Sequence, residues 1–165
     1  MKGINMGNLA RRLVPGHRMP PFETHDLHGE VFDSRALKGR KTILNFYPYA
    51  KSRVAKKEAR DFEKHSEGFS KLGYEVIGVS SDKPKSVKAL VAKQHLGHRM
   101  LLDPSKGVRK IFGIQPPKSP FGILSGRRKR NTFVVNESGR LEHAFYDVGG
   151  VGHVSRLRKL LENER

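Results

Sequence analysis

Residues Asn45 to Arg60 read N-F-Y-P-Y-A-K-S-R-V-A-K-K-E-A-R, and this stretch decides the fold. It closes an apolar run, Ile43-Leu44-Asn45-Phe46-Tyr47, of the kind that fills a strand buried on both faces. Pro48 ends that strand, because proline has no N–H to give to a ladder. Ser52 is a good N-cap. Ala55, Ala59, Phe62, Ser66 and Phe69 then recur at helical spacing, so one helix is predicted from Ser52 to about Leu72, stopped by Gly73. A buried strand feeding an amphipathic helix is the opening half of an α/β unit.

On the N-terminal side, Met19 to Phe32 reads as a short extended pair turning at His28-Gly29. On the C-terminal side, Tyr74–Ser80 (Y-E-V-I-G-V-S) is a second buried strand. Pro84 to Leu96 is a helix with Val87, Leu90 and Val91 turned inward. Met100-Leu101-Leu102 is a short strand, and Pro104 starts a helix carrying Val108, Ile111 and Phe112. After a Pro/Gly-rich loop from Gly113 to Lys129, Arg130–Val135 and Leu141–Val148 form a hairpin about Glu137-Ser138-Gly139. A final helix from about Val151 carries Val154, Leu157, Leu160 and Leu161. Alternation first and a hairpin last predicts an α/β fold with a mixed sheet, in one domain.

The 165 residues suffice for one self-supporting core, and no apolar run nears the roughly 18 residues of a membrane span. There is no cysteine, which excludes disulfides, thiolate catalysis and cysteine-ligated zinc. Charge is the loudest feature: 33 Lys+Arg against 16 Asp+Glu give +17. Such an excess repels itself and points to a polyanionic partner, nucleic acid first and an anionic membrane surface second.

Six stretches then recur in the order of a known family: G-H-R-M-P-P-F-E-T-H-D-L-H-G-E-V, I-L-N-F-Y-P with K-K-E-A behind it, G-Y-E-V-I-G-V-S-S-D, L-L-D-P, V-R-K-I-F-G-I and R-N-T-F-V-V-N-E-S-G-R-L. With these the chain resembles the Q-type (bacterioferritin-comigratory-protein-like) peroxiredoxins over roughly residues 16 to 162. The resemblance implies a thioredoxin-like fold, a central mixed sheet flanked by helices. It divides the chain into a basic N-terminal arm, residues 1–18, and a peroxiredoxin-like domain, residues 19–165.

In that family a cysteine in the first turn of the helix attacks the peroxide, within P-x-x-x-[ST]-x-x-C, and an arginine stands by it. Carried over, Pro48, Ser52 and Arg130 match. The nucleophile's position is Ala55, and the Q-type resolving position, five residues on, is Arg60. A methyl group cannot ionise or become a sulfenic acid. The T-P-G-C-T usual in these enzymes reads S-R-V-A-K here. Two explanations stand: a natural pseudoenzyme, favoured by this drift, or a thiol peroxidase carrying a Cys-to-Ala change at Ala55. The surviving three residues also have architectural roles available, as strand end, N-cap and ion-pair partner.

Candidate phosphate contacts are Arg11, Arg12 and Arg18 in the arm, Lys51, Arg53, Lys56, Lys57 and Arg60 around the helix start, and Lys118, Arg127, Arg128 and Lys129 in the loop. Lysines in a first helical turn oppose the helix dipole, which makes sense where anions dock. Residues 1–22 hold no acid, the pattern of an organelle-targeting leader or a docking arm. R-R-K-R also fits a nuclear localisation signal. His25/His28 and His95/His98 have H-x-x-H spacing, more in keeping with surface histidines than with a metal site, and no cofactor is expected. Together these features lead to the expectation of an inactive, RNA-associated structural subunit of a large ribonucleoprotein, above all a mitochondrial ribosome among neighbouring proteins. The alternative expectation is a peroxiredoxin represented by its Cys-to-Ala variant.

Overall fold

The computed structural model describes residues 11–47, 49–116, 130–148 and 152–165. Seven strands form one mixed sheet in the order β2-β1-β5-β4-β3-β6-β7. They are β1 (Glu23–Asp26), β2 (Val31–Asp33), β3 (Lys41–Phe46), β4 (Tyr74–Ser80), β5 (Arg99–Leu102), β6 (Arg130–Val135) and β7 (Leu141–Val148). β3, β4 and β5 run parallel, while β6 lies antiparallel to β3 and β1 antiparallel to β5. Among the described residues the α-helices are α1 (Arg53–Lys64), α2 (Ser66–Lys71), α3 (Pro84–Gln94), α4 (Gly107–Ile111) and α5 (His153–Asn163).

Alternation along the central strands builds two cores. Ile43 and Tyr47 of the β3 segment and Val76 of β4 face α1, α3 and α5, meeting Ala59, Phe62, Val87, Leu90, Val154 and Leu157. Leu44, Phe46, Ile77 and Val79 face the other way, onto Phe112, Phe133 and Leu37. In this second core the Phe112 ring lies 5.2 Å from Phe46 and 5.0 Å from Phe133, tilted as aromatic quadrupoles prefer.

The structure departs from the sequence reading at two helices. The helix predicted from Ser52 to about Leu72 is broken at His65, where ψ is 2°, giving α1 and α2. Both halves still bury their aromatic, Phe62 and Phe69, while Ser66 and Gly68 just beyond the break are poor helix formers. Pro104 does not start α4. Lys106 takes a left-handed conformation, and buried Asp103 caps the helix by accepting from the N–H groups of Val108 and Arg109.

The described end of the basic N-terminal segment lies along the hairpin. Gly16 N–H donates to Leu141 O, Leu141 N–H to His17 O, and Met19 N–H to Gly139 O. Leu13 N–H donates to Tyr146 Oη at 2.8 Å, and the Arg12 guanidinium stacks 4.8 Å from that ring.

Candidate functional site

The site lies where β3 passes into α1, and sequence explains its shape. Ser52 is the N-cap, its Oγ accepting the Ala55 N–H at 3.1 Å. That bond satisfies a donor that the first helical turn leaves unpaired. It turns the Ala55 side chain into the protein, where it has no exposure. Three residues on, Glu58 also has none.

Arg130, at the start of β6, reaches the same region from the sheet, its Nε 3.7 Å from Glu58 Oε1. At that distance the two are not hydrogen-bonded, and among the described residues neither Glu58 oxygen has a hydrogen-bond partner. Burial pushes the Glu58 carboxyl up to about 8. The Arg130 guanidinium and the nearby Asn45 amide pull the other way. Asn45 is close enough to act on the charge, yet among the described residues its Nδ2 completes no hydrogen bond.

Asn45 and Thr132 are cross-strand partners. The Thr132 hydroxyl donates to Asn45 Oδ1 at 2.8 Å and so accepts from His153 Nε2 at 3.1 Å, which makes His153 the Nε2–H tautomer. Burial, with Arg130 and Arg156 nearby, lowers the His153 pKa to about 4. The imidazole is therefore neutral at pH 7.

A second buried chain braces α1 from below. Tyr47 Oη and His98 Nε2 are 3.0 Å apart, and His98 Nδ1 lies 3.2 Å from Glu63 Oε2. Burial lowers the His98 pKa, with Glu63 opposing, so the neutral ring donates to Glu63 and accepts from Tyr47. Contrary to the surface role expected of it, His98 is packed inside, its side chain 5% exposed. His25, His28 and His95 are exposed.

Of the residues singled out by sequence, the structure brings together Ser52, Ala55 and Arg130, the last through Glu58. Pro48, Lys118, Arg127, Arg128 and Lys129 lie outside the described residues. Lys51, Arg53 and Arg60 are exposed, Lys56 is half-buried, and Lys57 pairs with Asp61 at 2.7 Å. Arg11 and Arg18 are exposed, and Arg12 is engaged by Asp147. Sequence reasoning missed Glu58, Asn45, Thr132, His153 and the Tyr47–His98–Glu63 chain. One signal was available: Glu58 falls on the helix stripe of Ala55, Ala59 and Phe62, a face that should be apolar.

The arrangement brings a guanidinium within 3.7 Å of Glu58, one turn along α1 from the buried Ala55 methyl. Among the described residues it has no nucleophile, since the whole chain lacks cysteine and a methyl group occupies the helix position.

Comparison with known proteins gives this geometry a context. The family model AhpC/TSA family matches residues 15–144. A protein named as a peroxiredoxin in Mycobacterium tuberculosis is 34% identical over 148 residues, covering 90% of this chain and 94% of its own. The chloroplastic peroxiredoxin Q of Triticum aestivum is 31% identical over 162 residues, covering 98% and 70%. Among solved structures, peroxidoxin BcpB from Mycobacterium tuberculosis superposes with a TM-score of 0.79 at 21% identity, over 93% of this chain and 99% of that one. A peroxiredoxin Q variant of Xylella fastidiosa gives 0.82 at 19% identity, over 94% and 98%.

These relatives overturn the expectation of a structural, RNA-associated ribosomal subunit, since they are peroxiredoxins and none is a ribosomal component. The error lay in reading an assembly from charge, which reports on surface electrostatics and not on the protein's role. The alternative, a peroxiredoxin with alanine in the nucleophile's place, fits them better. The chain belongs to the AhpC/TSA family, within its Q-type peroxiredoxin branch, as a member with the thioredoxin-like fold and without the peroxidatic and resolving cysteines.

Proposed function

We propose that this protein is a thiol-peroxidase scaffold in a Cys-to-Ala form, a peroxide pocket whose sulfur has been replaced by the Ala55 methyl. As it stands it performs no thiol chemistry and is a peroxiredoxin-like pseudoenzyme. The observation that carries this reading is the placement of Ala55. Its side chain is buried in the first turn of α1, its N–H is held by Ser52, and it lies three residues from the Glu58 that Arg130 meets.

The chemistry of such a pocket is simple to state. A thiolate at this position attacks one peroxide oxygen, the O–O bond breaks, and the departing alkoxide takes a proton to leave as alcohol or water. The sulfur becomes a sulfenic acid, which an external thiol reduces through a mixed disulfide with loss of water. The Arg130 guanidinium favours the anionic sulfur and the developing oxyanion, as does the N-terminus of α1. With Arg60 exposed at the resolving position, the second sulfur has to come from outside.

The test is Ala55→Cys, followed by peroxide consumption with dithiothreitol as reductant. Turnover faster than that of free cysteine at the same concentration, absent in the parent protein, is the expected result. A variant that folds, by circular dichroism, and consumes peroxide no faster than free cysteine would refute the reading.

A further inference from the structure

The face made by α1 and α3 is far more basic than the pocket beneath it requires. Because β3 and β4 are parallel neighbours, the helices that follow them start at the same end of the sheet and pack side by side. Their leading loops are tied together, with Ala50 N–H donating to Asp82 Oδ2 at 2.6 Å. Lys51 and Lys83, the next residues along each loop, are both exposed.

Arg53, Lys56, Arg60 and Lys64 follow at spacings of three, four and four along α1, a single face running about 16 Å. On α3, Lys85, Lys88 and Lys93 are exposed, and no acidic residue occurs from Lys83 to Leu102. Among the described residues none of these cations has a salt-bridge partner. The acids of α1 are committed elsewhere: Glu58 is buried, Asp61 holds Lys57, and Glu63 accepts from Gly97 and His98. Neither helix has an acid in its first turn. Such clustering costs stability through like-charge repulsion and an opposed helix dipole.

We propose that the α1–α3 face docks the phosphate backbone of a nucleic-acid duplex. A ridge of cations spaced by a helical turn is complementary to a regular line of phosphates. The large hydrophobics exposed among the described residues are Val14, Val31 and Tyr49, so α1 and α3 carry no apolar row to insert into a bilayer. The same shortage of exposed aromatics removes the stacking platform that single strands need. The contacts read charge and spacing, so binding is indifferent to base sequence. It does not depend on the residue at position 55.

The experiment is fluorescence anisotropy with the full-length protein and a labelled duplex of about two helical turns, as DNA and as RNA. The parent is compared with Arg60→Glu/Lys88→Glu on this face and with Lys38→Glu/Lys110→Glu, which makes the same charge change on the side of α4. The expected result is a loss of about tenfold or more at moderate salt for the first pair and about threefold or less for the second. The affinity should fall by roughly 4 log units per log unit of salt if four to five phosphates are contacted. DNA and RNA duplexes should both bind. Equal losses for the two pairs, tighter binding to a single strand, or preference for vesicles containing phosphatidylserine would each overturn the proposal.

Discussion

Arg130 Nε stands 3.7 Å from Glu58 Oε1, joining β6 to α1 inside the protein one turn beyond Ala55. The pair is buried on both sides, and it sets the electrostatics of the protein interior behind the first turn of α1. A carboxyl with no hydrogen-bond partner among the described residues and a pKa of about 8 is predominantly protonated at neutral pH, so it does not neutralise the guanidinium beside it.

Stability should register this directly. The folded-state value of about 8 lies above the 4.5 of an unperturbed glutamate. The folded state therefore holds its proton more tightly, and the contribution of Glu58 is whole below about pH 4.5 and is lost as pH rises toward 8. Glu58→Gln removes that loss, on the order of a few kcal/mol across the window. Urea midpoints at pH 5 and pH 8 should fall with pH more steeply in the parent than in the variant. Equal slopes would show that the carboxyl is ionised in the fold.

His153 works with the opposite sign. Its folded value of about 4 lies below the ordinary 6.5, so its contribution is present above pH 6.5 and is lost as pH falls toward 4. In a proton NMR titration the His153 ring signals should stay at their neutral positions through pH 5.5. A His153 midpoint near 6.5 would mean that the Thr132 bond does not hold the ring neutral.

Ser52→Ala removes the acceptor of the Ala55 N–H, and a lost N-cap costs about 1 kcal/mol. Thermal or urea unfolding measures it. Ser52→Asp should retain the cap, and a neutral Ser52→Ala would show that water or a neighbouring group replaces the hydroxyl.

Gly78 of β4 is paired with Asn45 and leaves room for the Tyr47 ring. A Cβ there would lie 2.6 Å from Tyr47 Cε2 and 2.4 Å from Met100 Sδ. Gly78→Ala should destabilise by about 1–3 kcal/mol and disturb the Tyr47–His98 bond. Retained stability would mean that both side chains can move aside freely.

Much of the fold can be read along the chain because its signals are local. Unbroken apolar runs such as Tyr74–Ser80 mark buried strands, and Ser52 and Gly73 mark where helical structure begins and ends. The break at His65 and the late start of α4 were not legible. The first is a matter of one residue's backbone, and the second depends on Asp103 reaching forward to cap. At the site, Ser52, Ala55 and Arg130 came from motif spacing. The Asn45–Thr132–His153 chain did not, because its members come from β3, β6 and α5 and meet only through strand register. Glu58 was hidden by its own chemistry, since a glutamate directly after two lysines reads as solvent-facing until the helix is placed on the sheet.

The proposed function requires that the first turn of α1 still accepts a peroxide beside position 55. Stopped-flow reaction of the Ala55→Cys protein with hydrogen peroxide, quenched with dimedone and read by mass spectrometry, tests it most directly. One sulfenic acid per chain should form, about 100-fold or more faster than on free cysteine, with most of that advantage lost when Arg130→Met is added. A rate equal to that of free cysteine, or one unchanged by Arg130→Met, would contradict it.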